Sequence, residues 1–537
     1  MAAAPTGGGL TDNALYYGDC LDWMRGWDAE TVDLIYLDPP FNSNADYNML
    51  YAADGGGDAQ FRAFTDTWSW DDAAADRTND FLGAVARPAH NAVVGLYRML
   101  GECGMLAYLT YMAERLEECH RLLKGTGSIY LHCDPTASHY LKALMDGVFG
   151  PAMFRNEIAW KRSHSHNSAK RYGPVHDVIL FYSVSDAYHW SDLRQPYDTD
   201  YIDRYFKFDD GDGRGRYWTG DLTGSGTRRG ETGLPWRGFD PNTKSRHWGV
   251  QPSVLDQLDA DNRIYWPPTE GAWPKLKRYL SEAKGVPLQD LICDIRGLST
   301  MGAPKGERLG YQTQKPADLL RRFIEASSGP GDLVLDPFCG CGTTIDAARS
   351  LDRRWAGIDI SSFAVDVMLE RLGDRTIAVY GIPQDLRSAK RLARDDPFGF
   401  ETWAVNRLAG FVPNTKQVAD GGIDGRATLA LQPDDWDSRL ALAQVKGGKH
   451  SASQFRDFCG VTESTKAAVG CYITLTPVNT EAARSDAAGM GKIAVSGEPY
   501  RRMNLWSIAD YFDDRRPHLP PMNNPYTGKP IMQASLF

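Results

Sequence analysis

The 537-residue chain carries nine cysteines but no CxxC pair, and its closest two, Cys339 and Cys341, flank a single glycine. That argues against a ribbon-type zinc site and against a disulfide framework, and suits a reducing cytoplasm. No stretch reaches the roughly 18 apolar residues of a membrane helix. The opening "MAAAPTGGGLTDN" has neither a basic n-region nor an apolar core. A soluble, unexported, cytoplasmic protein with no membrane partner is therefore expected. No GxxxxGK[ST] occurs, so an ATP P-loop and a motor built on one are excluded. An excess of positive charge is lacking too: the net charge is −10, which by itself offers no support for nucleic-acid binding. Global charge is a poor guide here, because a local basic groove can sit on an acidic body.

What is present is apolar content of 42% over a length that accommodates two or three domains. Local charge is more telling than the total. "WKRSHSHNSAKRYG" (160–173) gathers Lys161, Arg162, Lys170 and Arg171 around two histidines. Alone it reads either as a solvated loop or as a contact to a polyanion.

Buried strands are expected at "ALYYGD" (14–19), "VDLIYLD" (32–38), "GSIYLHCD" (127–134) and "HDVILFYSVS" (176–185). Helical periodicity lies between them: a short helix at "CLDWMRGW", a long stretch over 91–123 stopping near Lys124-Gly125, and "SHYLKALMDGVFG". Strands alternating with helices predict an α/β domain with a mostly parallel sheet. From about 190 to 300 the chain turns rich in Gly, Arg and Trp without a period, as an inserted module would. "DLVLDPFCGCGTTIDAARSLDRRWAGIDIS" (332–361) then restores strand, Gly-rich turn, helix and strand. The last 140 or so residues read as a further α/β unit with a Pro/Asn-rich tail.

Two strand tips carry the chemistry. In "LIYLDPPFNSN" an apolar strand ends in Asp38-Pro39-Pro40-Phe41, and two prolines cannot continue a sheet ladder. In "VLDPFCGCGTT" a strand runs into Asp336, then Phe338, Gly340 and Gly342 form a tight turn, and Thr343 opens a helix. The turn is not GxGxxG, yet a βα turn at a strand C-terminus is where open α/β sheets bind nucleotides. Asp359, about twenty residues on at the next strand end, is placed to accept from ribose hydroxyls.

Together, "DPPF" and "DPFCGCGTT" resemble the signature of the amino-group DNA methyltransferases, which use S-adenosylmethionine. With the catalytic motif first, the cofactor turn last and an irregular module between, the order resembles their β group. The resemblance covers about 11–380 and implies a Rossmann-like sheet with a target-recognition module at about 190–300. It implies that Asp38 and the Pro39 carbonyl accept the two N–H bonds of an adenine amino group, exposing its lone pair. Pro39 and Pro40 fix the backbone direction, and Phe41 offers a flat face to an extruded base. It also implies cofactor contacts from Asp19 in "YYGDCLDWM" and from Thr313 and Lys315 in "TQKP", besides Asp336, Phe338, Gly340, Gly342, Thr343 and Asp359. Asp359 stands where many relatives have Glu. Asp before Pro-Pro favours adenine N6 over cytosine N4, which stays the alternative. Double-stranded DNA is then the partner, with Lys161, Arg162, Lys170 and Arg171 on its backbone. Arg228, Arg229, Arg237 and Arg246 are candidates for base readout. A homodimer is an open option.

In the C-terminal unit, Asp424 follows a Gly-Gly turn, and Gln444 and Lys446 share a face of "LALAQVK" (440–446). A carboxylate, a second polar ligand and a lysine at one strand tip can hold a divalent cation and neutralise a phosphoryl transition state. This resembles the Mrr-like branch of the PD-(D/E)XK nucleases, with Glu401 as the extra acid and Asp424 and Gln444 as ligands for Mg2+. The expected domains are a methyltransferase over 11–380, a nuclease over 395–512 and a tail over 513–537. The competing readings are a degenerate nuclease kept for DNA binding and a nuclease-led defence protein whose methyltransferase senses sites.

Overall fold

The computed structural model describes residues 9–40, 46–49, 61–65, 68–163, 172–298, 307, 314–374, 376–414, 422–430, 440–478, 480–523 and 530–531. The chain divides into two compact units: residues 192–289, and the flanking chain on both sides of them.

The larger unit is organised by a nine-stranded sheet. Its order is Leu291–Ile292, Phe154–Lys161, His176–Ser183, Leu123–Cys133, Val32–Leu37, Leu333–Asp336, Arg354–Asp359, Ala14–Tyr17 and Ala378–Tyr380. Every neighbouring pair is parallel except the two that involve His176–Ser183, the single reversed strand. Helices cover both faces. Ile35, Leu37, Leu131 and Leu335 pack on the side of Gly104–Leu122 and Ser138–Phe149. Leu34, Tyr36, Tyr130 and Val334 face Ala317–Ser327 and Thr343–Ser350. Successive side chains of one strand thus enter opposite layers, which is why "LIYL" is a continuous apolar run without alternation.

Three expectations need correction. The helix expected over 91–123 is two helices, His90–Leu100 and Gly104–Leu122, because Gly101 adopts φ 66° and ends the first. The strand expected from 127 begins at Leu123, which pairs with Val32, leaving no separate turn at Lys124-Gly125. The 160–173 segment is likewise no loop at its start, since Trp160 and Lys161 close the strand Phe154–Lys161.

A second, five-stranded sheet follows, in the order Val412–Pro413, Gly425–Thr428, Leu440–Lys446, Val469–Thr474 and Met503–Ser507. Its core includes Phe400 and Trp403 from the helix Pro397–Val405. Arg407, whose side chain is buried, pairs with Asp366 at 2.8 Å and so ties this core to the helix Ser362–Leu372. The unit 192–289 has its own small core of Leu222, Trp236, Trp248, Leu255 and Ile264. Among the described residues no helix is long and apolar enough to cross a membrane.

Candidate active sites at two strand edges

The parallel strands Ala14–Tyr17, Val32–Leu37, Leu333–Asp336 and Arg354–Asp359 end at one edge of the large sheet. Leu335 is level with Ile35, Asp336 with Gly357, and Tyr17 with Asp359. This register gathers Asp19, Asp38, Asp336 and Asp359, which lie far apart in sequence. Asp38 Oδ2 lies 2.5 Å from Lys315 Nζ, while its Oδ1 is buried with no hydrogen-bond partner among the described residues. Lys315 directly precedes Pro316 and the helix Ala317–Ser327, whose first N–H is capped by Glu307 Oε1 at 2.6 Å.

Two of the other acids, Asp336 and Asp359, hold a proton more tightly than an ordinary carboxyl. Burial pushes the Asp336 carboxyl up to about 7, aided by the charges of Asp38 and Asp359 and opposed by Thr344 and the Phe338 N–H. Burial likewise pushes Asp359 up to about 6, against hydrogen bonds from the N–H groups of Ser361 and Gly340, both at 2.8 Å. Asp359 therefore also pins the Gly-rich turn. Gly342 in that turn has φ 76°, and a Cβ there would come within 2.6 Å of Met368 Cγ. Thr343 Oγ1 accepts from Arg371 at 2.8 Å, and Phe338 is half-buried. Asp336 and Asp359, two buried acids of raised proton affinity at one edge, make a place for a cationic ligand, and S-adenosylmethionine carries a sulfonium and an ammonium.

Asp19 is committed locally. It caps the helix Cys20–Arg25 through the Leu21 N–H at 2.8 Å. Both its oxygens also accept from Arg115 Nη2 at 2.7 Å. Of the basic residues, Lys161 is exposed and Arg162 pairs with Asp177 at 3.1 Å. Phe41, Thr313, Lys170 and Arg171 lie outside the described residues. Within the unit 192–289, Arg237 pairs with Asp256 and Asp259, and Arg246 with Asp221. Arg228 and Arg229 are exposed and make no ion pair among the described residues. Sequence reasoning missed the partner of Lys315, and it missed Ile360, an apolar side chain 71% exposed directly after Asp359.

The second sheet brings Asp424 and Gln444 together. Asp424 Oδ2 accepts from the Val445 N–H at 2.7 Å, and Gln444 Nε2 donates to the Gly422 carbonyl at 2.8 Å. Gln444 Oε1 is buried with no hydrogen-bond partner among the described residues. An unsatisfied buried carbonyl oxygen beside a carboxylate fits a hard cation. Lys446 ends the same strand, partly exposed. Glu401 stands on the helix Pro397–Val405, which packs under this strand so closely that a Cβ at Gly447 would meet Phe400 at 3.0 Å. No group of three or more His, Cys, Asp and Glu side chains able to hold a metal occurs among the described residues.

Residues 32–370 match the family model of the N6/N4 DNA methylases. The chain belongs to that family. Residues 392–498 of this methylase match a second model, that of the Mrr-type restriction endonuclease catalytic domain. It is 35% identical over 267 residues to the type II methyltransferase M.EcaI of Enterobacter cloacae, covering 49% of this chain and 57% of that one. It is 27% identical to the type III restriction-modification enzyme StyLTI Mod subunit of Salmonella typhimurium, covering 68% and 54%. It is 24% identical to the DNA adenine methyltransferase YhdJ of Escherichia coli, covering 68% and 85%. The methylase thus spans somewhat over half the length of the first two relatives.

Proposed function

We propose that the methylase domain, over about 11–380, transfers a methyl group from S-adenosylmethionine to N6 of an adenine extruded from double-stranded DNA. The observation that carries this reading is Asp38 Oδ1, a buried acceptor without a partner beside the Pro39 backbone. An amino group placed there donates to Asp38 and to the Pro39 carbonyl, and its nitrogen lone pair is freed for attack. S-adenosylmethionine, when bound, supplies the activated methyl. Gly340 and Gly342 let the backbone approach the cofactor, Asp336 and Asp359 offset its positive charge, and Phe338, Thr343 and Lys315 shape the surroundings. Lys161 and Arg162 meet DNA phosphates, and a recognition module at about 190–300 reads bases with Arg228 and Arg229. An acid rather than serine before Pro-Pro supports adenine, as does the name of the relative YhdJ.

The C-terminal domain, at about 395–512, then serves as a DNA endonuclease of a restriction–modification protein. Asp424 and Gln444 would hold Mg2+, which lowers the charge on the scissile phosphate, with Lys446 neutralising the developing negative charge. Unmethylated DNA is incubated with protein and cofactor and digested, and its nucleosides are weighed by mass spectrometry. N6-methyl-2′-deoxyadenosine is the expected product; N4-methyl-2′-deoxycytidine alone would overturn the base assignment.

A further inference from the structure

A row of polar groups crosses three adjacent strands of the large sheet, and the residue just past the end of a fourth, near the Asp38 tip. Tyr36 Oη lies 2.8 Å from His132 Nδ1, and His132 Nε2 lies 3.2 Å from Asp177 Oδ2. Asp177 Oδ1 lies 3.1 Å from Arg162 Nε. Tyr36, His132 and Asp177 are each at most 2% exposed, whereas the Arg162 side chain is 48% exposed. Ionised Asp177 can only accept, so His132 donates to it from Nε2; in the neutral tautomer with that proton, Nδ1 accepts from the Tyr36 hydroxyl. Donors thus converge on Asp177 from both sides, Arg162 from the surface and His132, backed by Tyr36, from the strand that ends in Asp38.

The inner end of the row lies on the strand that leads into Asp38 and packs on the helix that follows Lys315. Tyr36 precedes Asp38 by two residues on the same strand face. Its ring stacks on Phe323 at 6.3 Å, on the helix that starts two residues after Lys315. Nothing in the methyl transfer described above uses Tyr36, His132 or Asp177, and an apolar sheet does not need them. Burying a carboxylate, an imidazole and a phenol is costly unless each has a partner. Asp177 Oδ2 is met by His132, whereas its buried Oδ1 makes no hydrogen bond among the described residues and has only the Arg162 ion pair.

We infer that Arg162, Asp177, His132 and Tyr36 form a positioning chain that couples phosphate capture to the setting of Asp38. The inference rests on the reading of Asp38 as the acceptor of the target amine. A DNA phosphate drawn to Arg162 takes charge away from Asp177. The buried carboxylate then leans on His132, the His132–Tyr36 hydrogen bond is held, and the strand end is fixed while DNA is in place. Arg162 thus acts on rate as well as on affinity, unlike a simple backbone contact.

The test is single-turnover methyl transfer from tritiated S-adenosylmethionine into saturating plasmid DNA from a methylation-deficient host. It compares wild type, Tyr36→Phe, Arg162→Gln, the double variant and Asp38→Ala, with cofactor binding measured by calorimetry. Tyr36→Phe and Arg162→Gln should each slow transfer about fivefold or more with cofactor affinity unchanged, a coupling of ordinary size. In the Tyr36→Phe background Arg162→Gln should slow it no further. Independent multiplication of the two effects would overturn the inference, as would full rates in both single variants while Asp38→Ala is inactive. If Tyr36→Phe lost its fold, Arg162→Gln at saturating DNA would decide alone, since a mere phosphate contact changes affinity and not this rate. An active Asp38→Ala would overturn the underlying reading of the site instead.

Discussion

Asp38 and Lys315 meet at 2.5 Å across 277 positions of chain, one at the tip of a central strand and the other just before a helix. One carboxylate oxygen is engaged by the ammonium, and the other is left as a buried acceptor. In the proposed reaction the lysine would orient the acid rather than compete for the amine. Replacing it by a neutral side chain leaves a poorly solvated carboxylate free to rotate.

Lys315→Met should accordingly slow methyl transfer. Losing a charge-assisted hydrogen bond costs about 1.5–3 kcal/mol, or roughly 10- to 100-fold in rate. Cofactor affinity should change far less than single-turnover rate. A large loss of affinity at unchanged rate would assign Lys315 to the cofactor.

Asp336 predicts a pH dependence of definite sign. Its folded value of about 7 lies above the ordinary carboxyl range, so the folded state holds a proton that the unfolded chain has lost. That contribution to stability is present in full below about pH 4 and fades as pH rises through about 7. A cationic ligand favours the ionised form, so cofactor binding should expel protons and tighten as pH climbs from 6 to 8. Calorimetry in buffers of different ionisation enthalpy measures the release. Asp336→Asn should flatten the slope, and a slope unchanged in that variant would refute the assignment.

In the second sheet, Lys446→Ala should abolish Mg2+-dependent DNA cleavage while leaving methyl transfer intact. Gln444→Glu, which adds a charge at the orphaned Oε1 position, should lower the Mg2+ concentration needed for cleavage. Plasmid nicking and linearisation on gels read both effects. Equal loss of methylation and cleavage in Lys446→Ala would contradict a separate nuclease site.

The strand tips were legible because their constraint is local. An apolar run that stops at Asp-Pro-Pro, or at Asp-Pro-Phe and a Gly-rich turn, announces both a strand and its end. Asp38, Asp336 and Asp359 could be read off that punctuation, although their common edge required the register of four strands. Lys315 could be noticed, but its partner could not, since nothing in "TQKP" specifies a contact 277 positions away. His132 was less visible still: "YLHCD" reads as a buried strand whether or not its histidine bridges a tyrosine and an aspartate. The strand Phe154–Lys161 escaped notice because "FRNEIAWK" lies next to a two-residue edge strand, and its half-exposed side chains break the apolar run. The break at Gly101 was hidden by periodicity that resumes in phase three residues later.

The most direct measurement is transfer of tritiated methyl groups into DNA by Asp38→Ala, with cofactor binding to the same variant measured alongside. Loss of transfer with cofactor affinity preserved is the predicted result. Transfer at more than about a tenth of the wild-type rate would mean that Asp38 contributes less than roughly 1.4 kcal/mol to the transition state, and would contradict the account.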